Sequence, residues 1–327
     1  MFEDKTEYIS HRGILKSCEF GVLFHPYQQY GPMSINTNLK EMTDGAVLYV
    51  SHQCLQKDFL DKIHCKVIFV VGDDDHTFPY CHFILEDDEI EKTNYYNENH
   101  ASIFSQITNL EKAERFYNKD DYLAFIESEK VIHCFIQNCA VSHPKITKMP
   151  IGINYHSYQW FGQNAIEQEK IIKQIQINNP ILDNRKVKCY GNFHFNKDCS
   201  RFGYDRNDAI LQIPPDIIDY EPQKIEKYES FRHQAKYMFV VCPHGNGLDC
   251  HRSWESMYMN CIPIVKSSVI DDLYDDLPIL IVKEWSDINE ELLYKTLITL
   301  KNRAFNFKKL SLKYWINKIY SYKNVIK

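Results

Sequence analysis

Short runs of apolar, β-branched residues recur along this chain, separated by longer polar stretches with helical spacing. The runs are Gly21–Phe24, Ala46–Val50, Lys66–Val71, Val131–Gln137, Lys186–Tyr190, Tyr237–Cys242, Ile262–Lys266 and Ile279–Val282. They lack the polar–apolar alternation of a strand with one wet face. A strand that is apolar at successive positions must be covered on both sides, which predicts parallel sheets with helices on their faces. The intervening helices are expected over Ile103–Phe116, Asp121–Ser128, Ala165–Gln176, Lys224–Gln234, Cys250–Met259 and Ile288–Asn302. The expected fold is therefore α/β.

At 327 residues the chain has room for about two domains, at roughly 150 residues each. The polar stretch from Asn154 to Arg185, containing Asn178-Asn179-Pro180, is the expected linker. The reading is a first domain over 1–155 and a second over 180–304, with a terminal helix over 305–327 that packs back onto the first. Two such domains would face each other across a cleft at their strand ends, where ligands of open α/β sheets bind.

Charge and cysteine usage narrow the class. A net charge of −6 disfavours a nucleic-acid partner, which needs a basic face. The stretch from Lys301 to Lys327 holds eight Lys or Arg and no acid, and reads as a solvated amphipathic helix, with contact to a membrane surface as the alternative. Eleven cysteines without CxxC pairs suit buried free thiols in a reducing compartment. Neither a signal peptide nor a membrane span is expected, so the expected location is cytoplasmic.

The segment richest in chemistry is Phe239–Ser268, FVVCPHGNGLDCHRSWESMYMNCIPIVKSS. It reads as a strand, a glycine loop, a helix and a second strand. His244, Gly245, Asn246 and Gly247 supply backbone that turns sharply and approaches a ligand closely, and Asp249 is the expected N-cap. His251, Arg252 and Glu255 share one helical face by their spacing. A diphosphate at that helix start would meet free N–H groups, the dipole and Arg252. Glu255 could accept from ribose hydroxyls. The competing readings are surface ion pairs and a zinc site from Cys242, His244, Cys250 and His251.

Pro243, Gly245, Arg252, Glu255, Cys261, Pro263 and Ile264 stand in the order P-x-G…R-x-x-E…C-x-P-I. In this the segment resembles the nucleotide-sugar-binding region of exostosin-like glycosyltransferases, over about Phe231 to Ser286. The resemblance implies a GT-B fold, two Rossmann-like domains with the donor held by the second. It further implies that Glu255 is the ribose ligand and Arg252 a diphosphate or sugar contact. It also implies a nucleotide-sugar donor, a UDP-sugar, and a glycan or glycoprotein acceptor. Cys134–Tyr158 resembles the F-x-Q-N…P-I-G stretch of soluble relatives, which puts Gln137 and Asn138 on the acceptor side of the cleft; a turn-capping role is the alternative. Arg206 is expected to reach the diphosphate, with a surface salt bridge as the alternative. Asn192, Lys266 and Ser267 border the nucleotide.

Val67–Pro79, VIFVVGDDDHTFP, ends a strand in three carboxylates and a histidine. Crowded carboxylates raise one another's pKa, which suits a general base near neutral pH. Asp73 or Asp75 is the expected base of an inverting transfer, ahead of His76, and no metal is required. The alternative is a GT-A enzyme in which Asp73 and Asp75 hold Mn²⁺ or Mg²⁺. A binding protein without catalysis, on a transferase fold, is the reading outside enzymes.

Overall fold

A computed structural model describes residues 2–23, 35–55, 58–72, 75, 77–79, 119–155, 162–179, 184–194, 204–245 and 247–326. The chain divides into two compact units, each discontinuous in sequence. One comprises Ile14–Pro150 with Trp315–Lys327, the other Met1–Gly13 with Ile151–Tyr314. Each carries a five-stranded, all-parallel sheet. The fold is α/β, as the apolar runs predict.

Helix α1 (His11–Lys16) begins in the second unit and leads into β1 (Phe20–Val22) of the first. It is followed by β2 (Ala46–Ser51), β3 (Val67–Gly72), α2 (Lys119–Glu127), β4 (Val131–Gln137) and β5 (Ile146–Met149). The sheet order is β1-β2-β3-β4-β5, so each strand pairs with the next in sequence. Crossovers between parallel neighbours are right-handed, so a sheet laid down in one direction receives all its crossovers on one face. The core on that face agrees. Leu48, Val50, Phe69, Val71, Cys134 and Ile136 pack with Phe59, Ile63, Phe125 and Ile126 from the connections. The other face must be covered from elsewhere, and the chain's end supplies part of that cover. Tyr322 stacks on His133 at 3.9 Å and meets Phe135 edge-on at 5.5 Å, while Tyr320 Oη donates to Ser17 O at 2.7 Å.

The second unit runs α3 (Ala165–Ile177), β6 (Lys186–Gly191), α4 (Asp205–Gln212), β7 (Ile218–Tyr220), α5 (Lys227–Gln234), β8 (Tyr237–Val241), α6 (His251–Tyr258), β9 (Ile262–Lys266), β10 (Leu280–Val282) and α7 (Glu290–Lys301). Helix α8 (Leu312–Ser321) begins in this unit and ends in the first. The sheet order is β7-β6-β8-β9-β10. The chain therefore goes from β6 outward to β7, then returns to pair β8 against β6's other edge. Successive crossovers to opposite sides put helices on both faces. Cys189, Phe239, Val241 and Ile264 pack with Ala209, Trp285 and Leu293 on one face, and α5 and α6 pack on the strands of the other. The reversal opens a crevice at the carboxyl ends of β6 and β8.

The domain expectation shifts at both termini. Residues 1–13, read as part of the first domain, belong with the second unit through backbone hydrogen bonds. Ile9 N donates to Leu310 O at 2.9 Å, Ile153 N to Ile9 O at 2.8 Å, His11 N to Ile151 O at 2.9 Å and Leu312 N to Glu7 O at 2.9 Å. Such bonds leave no pattern in side-chain hydrophobicity, so the sequence did not mark them.

Candidate functional site

The glycine loop follows β8 directly, at the crevice created by the strand reversal. Cys242 N donates to Ile264 O at 2.8 Å, and Pro243, which has no N–H to extend the ladder, stops the strand. His244 is then held from both sides by consecutive residues of α4. Its N–H donates to Asp205 Oδ2 at 2.8 Å, and its carbonyl accepts from Arg206 Nε at 3.1 Å. Asp205 is 3 % exposed, and its other oxygen accepts from Trp285 Nε1 at 2.7 Å. A β-carbon added at Gly245 would lie 2.5 Å from Arg206 Nη2. The glycine thus makes room for the guanidinium.

Arg206 and Arg252 sense each other's charge here. Burial pulls the Arg206 guanidinium below its usual value, the Cys250 side chain opposes that, and the Arg252 charge adds to the lowering. Burial raises the Tyr190 phenol on β6 and the Cys242 thiol after β8, and the Arg252 charge opposes both shifts. Among the described residues, no hydrogen bond or ion pair is made by the Arg252 side chain. Arg206 therefore lies against the glycine loop, Arg252 stands in the first turn of α6, and among the described residues no acid pairs with Arg252. An anion there would relieve their repulsion and accept bidentate bonds.

Asp249 is not the N-cap of α6. That position falls to Cys250, whose side chain makes no capping bond. The Asp249 carboxylate points into the protein, 1 % exposed, and accepts from Ile151 N at 2.7 Å, Trp254 Nε1 at 2.7 Å and Tyr274 Oη at 3.1 Å. Burial pushes its pKa up to about 6, against the pull of those donors. His251, the first residue of α6, uses Nδ1 to reach Gly152 O at 2.7 Å. Burial and the neighbouring His11 bring its pKa down to about 4, so the ring is neutral near pH 7 and Nδ1 is its donor.

Glu255 lies one turn further along. Its Oε1 is 3.3 Å from Lys227 Nζ and accepts from Asn154 N at 3.4 Å. Lys227 also donates to Asn154 O. Burial lowers the Lys227 pKa, and Glu255 opposes that. Among the described residues, no partner engages Oε2, which leaves that oxygen as an acceptor for a hydroxyl. Trp254, Met257 and Tyr258 are buried, as expected from their spacing.

The zinc reading fails on direction. Cys242 Sγ donates to Val240 O and Cys250 Sγ to Pro243 O and Gly247 O, while His244 Nδ1 meets Leu248 O and His251 Nδ1 meets Gly152 O. The four groups are committed to separate carbonyls.

The remaining expected donor contacts are engaged elsewhere. Lys266 Nζ pairs with Glu284 at 2.8 Å, Ser267 Oγ donates to Asp271 at 2.6 Å, and Asn192 Nδ2 donates to Ser230 Oγ at 2.6 Å. Asn246 lies outside the described residues, and so do Asp73 and His76. In the first unit Asp75 is half-buried in a bend beyond β3. Gln137 ends β4 and Asn138 follows it, both 1 % exposed. Asn138 has φ 50° and its carbonyl accepts from Phe78 N at 2.9 Å. Sequence reasoning missed Asp205 and Lys227, which fix the loop and the carboxylate. Asp205 adjoins the expected Arg206, but its burial beneath Trp285 leaves no local signal. Compared with known proteins, the chain matches no family model and no curated protein.

Proposed function

We propose that the chain is a glycosyltransferase of the exostosin-like, GT-B type that takes a sugar from a nucleotide-diphosphate donor, a UDP-sugar. The observation that carries this reading is Arg206 lying against the glycine loop, with Arg252 in the first turn of the helix that follows, at the strand reversal of the second sheet. Open parallel sheets bind nucleotides at such a reversal, with phosphate at the following helix start. Glu255, oriented by Lys227, holds a ribose hydroxyl. The acceptor hydroxyl attacks the anomeric carbon as the bond to the diphosphate oxygen breaks. Its proton passes to a carboxylate, Asp73 or Asp75, and the electron pair of the broken bond leaves on the diphosphate. The two guanidinium groups stabilise that charge as it develops, in place of a metal.

Calorimetric titration with UDP tests the site. Arg252→Ala and Glu255→Ala are each expected to weaken binding tenfold or more, from loss of a charge-assisted bond worth roughly 1.5–3 kcal/mol. Unchanged affinity in both variants overturns the donor site. Release of UDP from its sugar donor is expected to survive EDTA; loss of release restored by Mn²⁺ overturns the metal-free mechanism.

A further inference from the structure

The second unit carries a cavity that the donor site does not use. It has a volume of about 380 Å³ and lies between the last two turns of α3 and the end of α5. Small-molecule sites typically enclose roughly 300–1,000 Å³. One wall follows from helical spacing. Ile171, Gln174, Ile175 and the C-cap Asn178 stand at i, i+3, i+4 and i+7 along α3, so they share a face. Ile175 is 5 % exposed and Ile171 half-buried. Where α3 meets α5, such a face would ordinarily close on apolar partners. Instead the other wall is Arg232, in the last turn of α5, and Lys236 just beyond it, both exposed. Two aliphatic side chains and two long cations thus enclose one space that solvent can enter.

The fold does not use up these charges. Arg232 Nη1 pairs with Glu229 Oε2 at 3.0 Å, and among the described residues no hydrogen bond or ion pair engages the Lys236 ammonium. Glu229, which also meets His233 Nε2 at 3.2 Å, offsets at most one of the two cations. Nor does the end of α3 call on them. Its last carbonyls, those of Gln174, Ile175 and Gln176, already accept from the backbone N–H groups of Asn178 and Asn179. Among the described residues that line the cavity, none is acidic. At least one positive charge is therefore left beside an apolar wall.

We propose that this cavity binds a small amphiphilic carboxylate, an alkanoate or aryl-alkanoate. Its apolar chain lies along Ile171 and Ile175. Its carboxylate accepts from Lys236 Nζ and from the guanidinium N–H groups of Arg232 that Glu229 leaves over. A carboxylate carries the single negative charge that balances the site, and its two oxygens match a guanidinium edge. A free sugar offers little apolar surface to two isoleucines, and an amine is repelled by both cations. The site lies at the opposite end of α5 from Lys227 and does not depend on the donor reading.

The test is saturation-transfer NMR and calorimetry on the full chain with octanoate and 4-phenylbutyrate, beside octylamine as a cation of matching length. Both carboxylates are expected to receive saturation from the wild type, and octylamine none. Lys236→Glu is expected to weaken octanoate binding about fivefold or more, the upper range for a partly exposed ion pair. Its melting point is expected to stay within about 2 °C of the wild type, as for most surface changes. Gln174→Lys adds a cation to the same exposed rim and is expected to tighten binding. Arg252→Ala, at the donor loop, is expected to leave octanoate affinity unchanged. No transfer to either carboxylate overturns the proposal, as does equal transfer to octylamine. Undiminished affinity in Lys236→Glu, or no gain in Gln174→Lys, overturns it as well. Loss of octanoate binding in Arg252→Ala would put the carboxylate at the donor loop, and the cavity proposal falls.

Discussion

A β-carbon at position 245 would come within 2.5 Å of Arg206 Nη2, and the obstructing atom is the tip of a long side chain. The fold can therefore absorb Gly245→Ala by turning the guanidinium aside, whereas the proposed donor site would lose that group's placement. UDP affinity is expected to drop at least tenfold with the melting point changed by no more than a few degrees; calorimetry and a melt read the two separately. At this scale the sequence was partly legible. Gly245, Arg252 and Glu255 are marked by spacing along one loop and helix. The reason for the glycine was not legible: its obstructing partner lies 39 residues earlier, on α4, and only the sheet order brings them together. Asp249 shows the opposite failure. An acid before a helix usually caps it, but here tertiary donors from Ile151, Trp254 and Tyr274 outcompete the helix's own N–H groups.

Helix α6 and the loop before it grip the segments through which the chain passes between its units. Asp249 holds Ile151, His251 holds Gly152 and Glu255 holds Asn154. Tyr258 Oη accepts from Ile9 N at 2.9 Å and donates to Leu310 O at 2.6 Å. Gly152 is tightly specified, with φ +68° and an added β-carbon 2.2 Å from Ile9 O. That obstruction is backbone and cannot swing away. Gly152→Ala is expected to destabilise by about 3 kcal/mol or more, visible as a lowered denaturation midpoint. Acid acts on the same element in opposing directions. His251 has its pKa lowered from 6.5 to about 4, so between those values the unfolded chain binds more protons and stability falls as pH falls. Asp249 has its pKa raised from 3.8 to about 6, so in its window the folded chain binds more protons and stability rises as pH falls. The two slopes nearly cancel in the wild type. His251→Gln keeps a donor for Gly152 and removes one slope, so its melting point is expected to rise on acidification from pH 6.5 to 4 relative to wild type; an identical pH profile would refute the assignment. The long strands were legible because burial on both faces writes a continuous apolar run. The edge strands β5 and β7 were not, being short and carrying Lys148 and Asp219.

Across the whole chain, fold class was legible and connectivity was not. The apolar runs announce parallel sheets, but they do not say that β1 to β5 pair in chain order. That order leaves one face of the first sheet in need of cover. Tyr322, on His133 and edge-on to Phe135, contributes that cover. Deletion of residues 315–327 is thus expected to unfold the first unit, although its sheet ends at Met149; loss of amide-exchange protection in β2–β4 is the measurement.

The same arrangement bears on how the protein is made. A ribosome delivers β1–β5 in order, and most domains can consolidate as they emerge. Here the first unit draws on residues 315–327, and the second takes in both residues 1–13 and the stretch up to Tyr314. Each unit therefore stays open until the residues around Tyr314 and beyond have left the exit tunnel. Until then the apolar strands have no finished core to enter, and their dependence on chaperones should scale with translation time rather than with final stability.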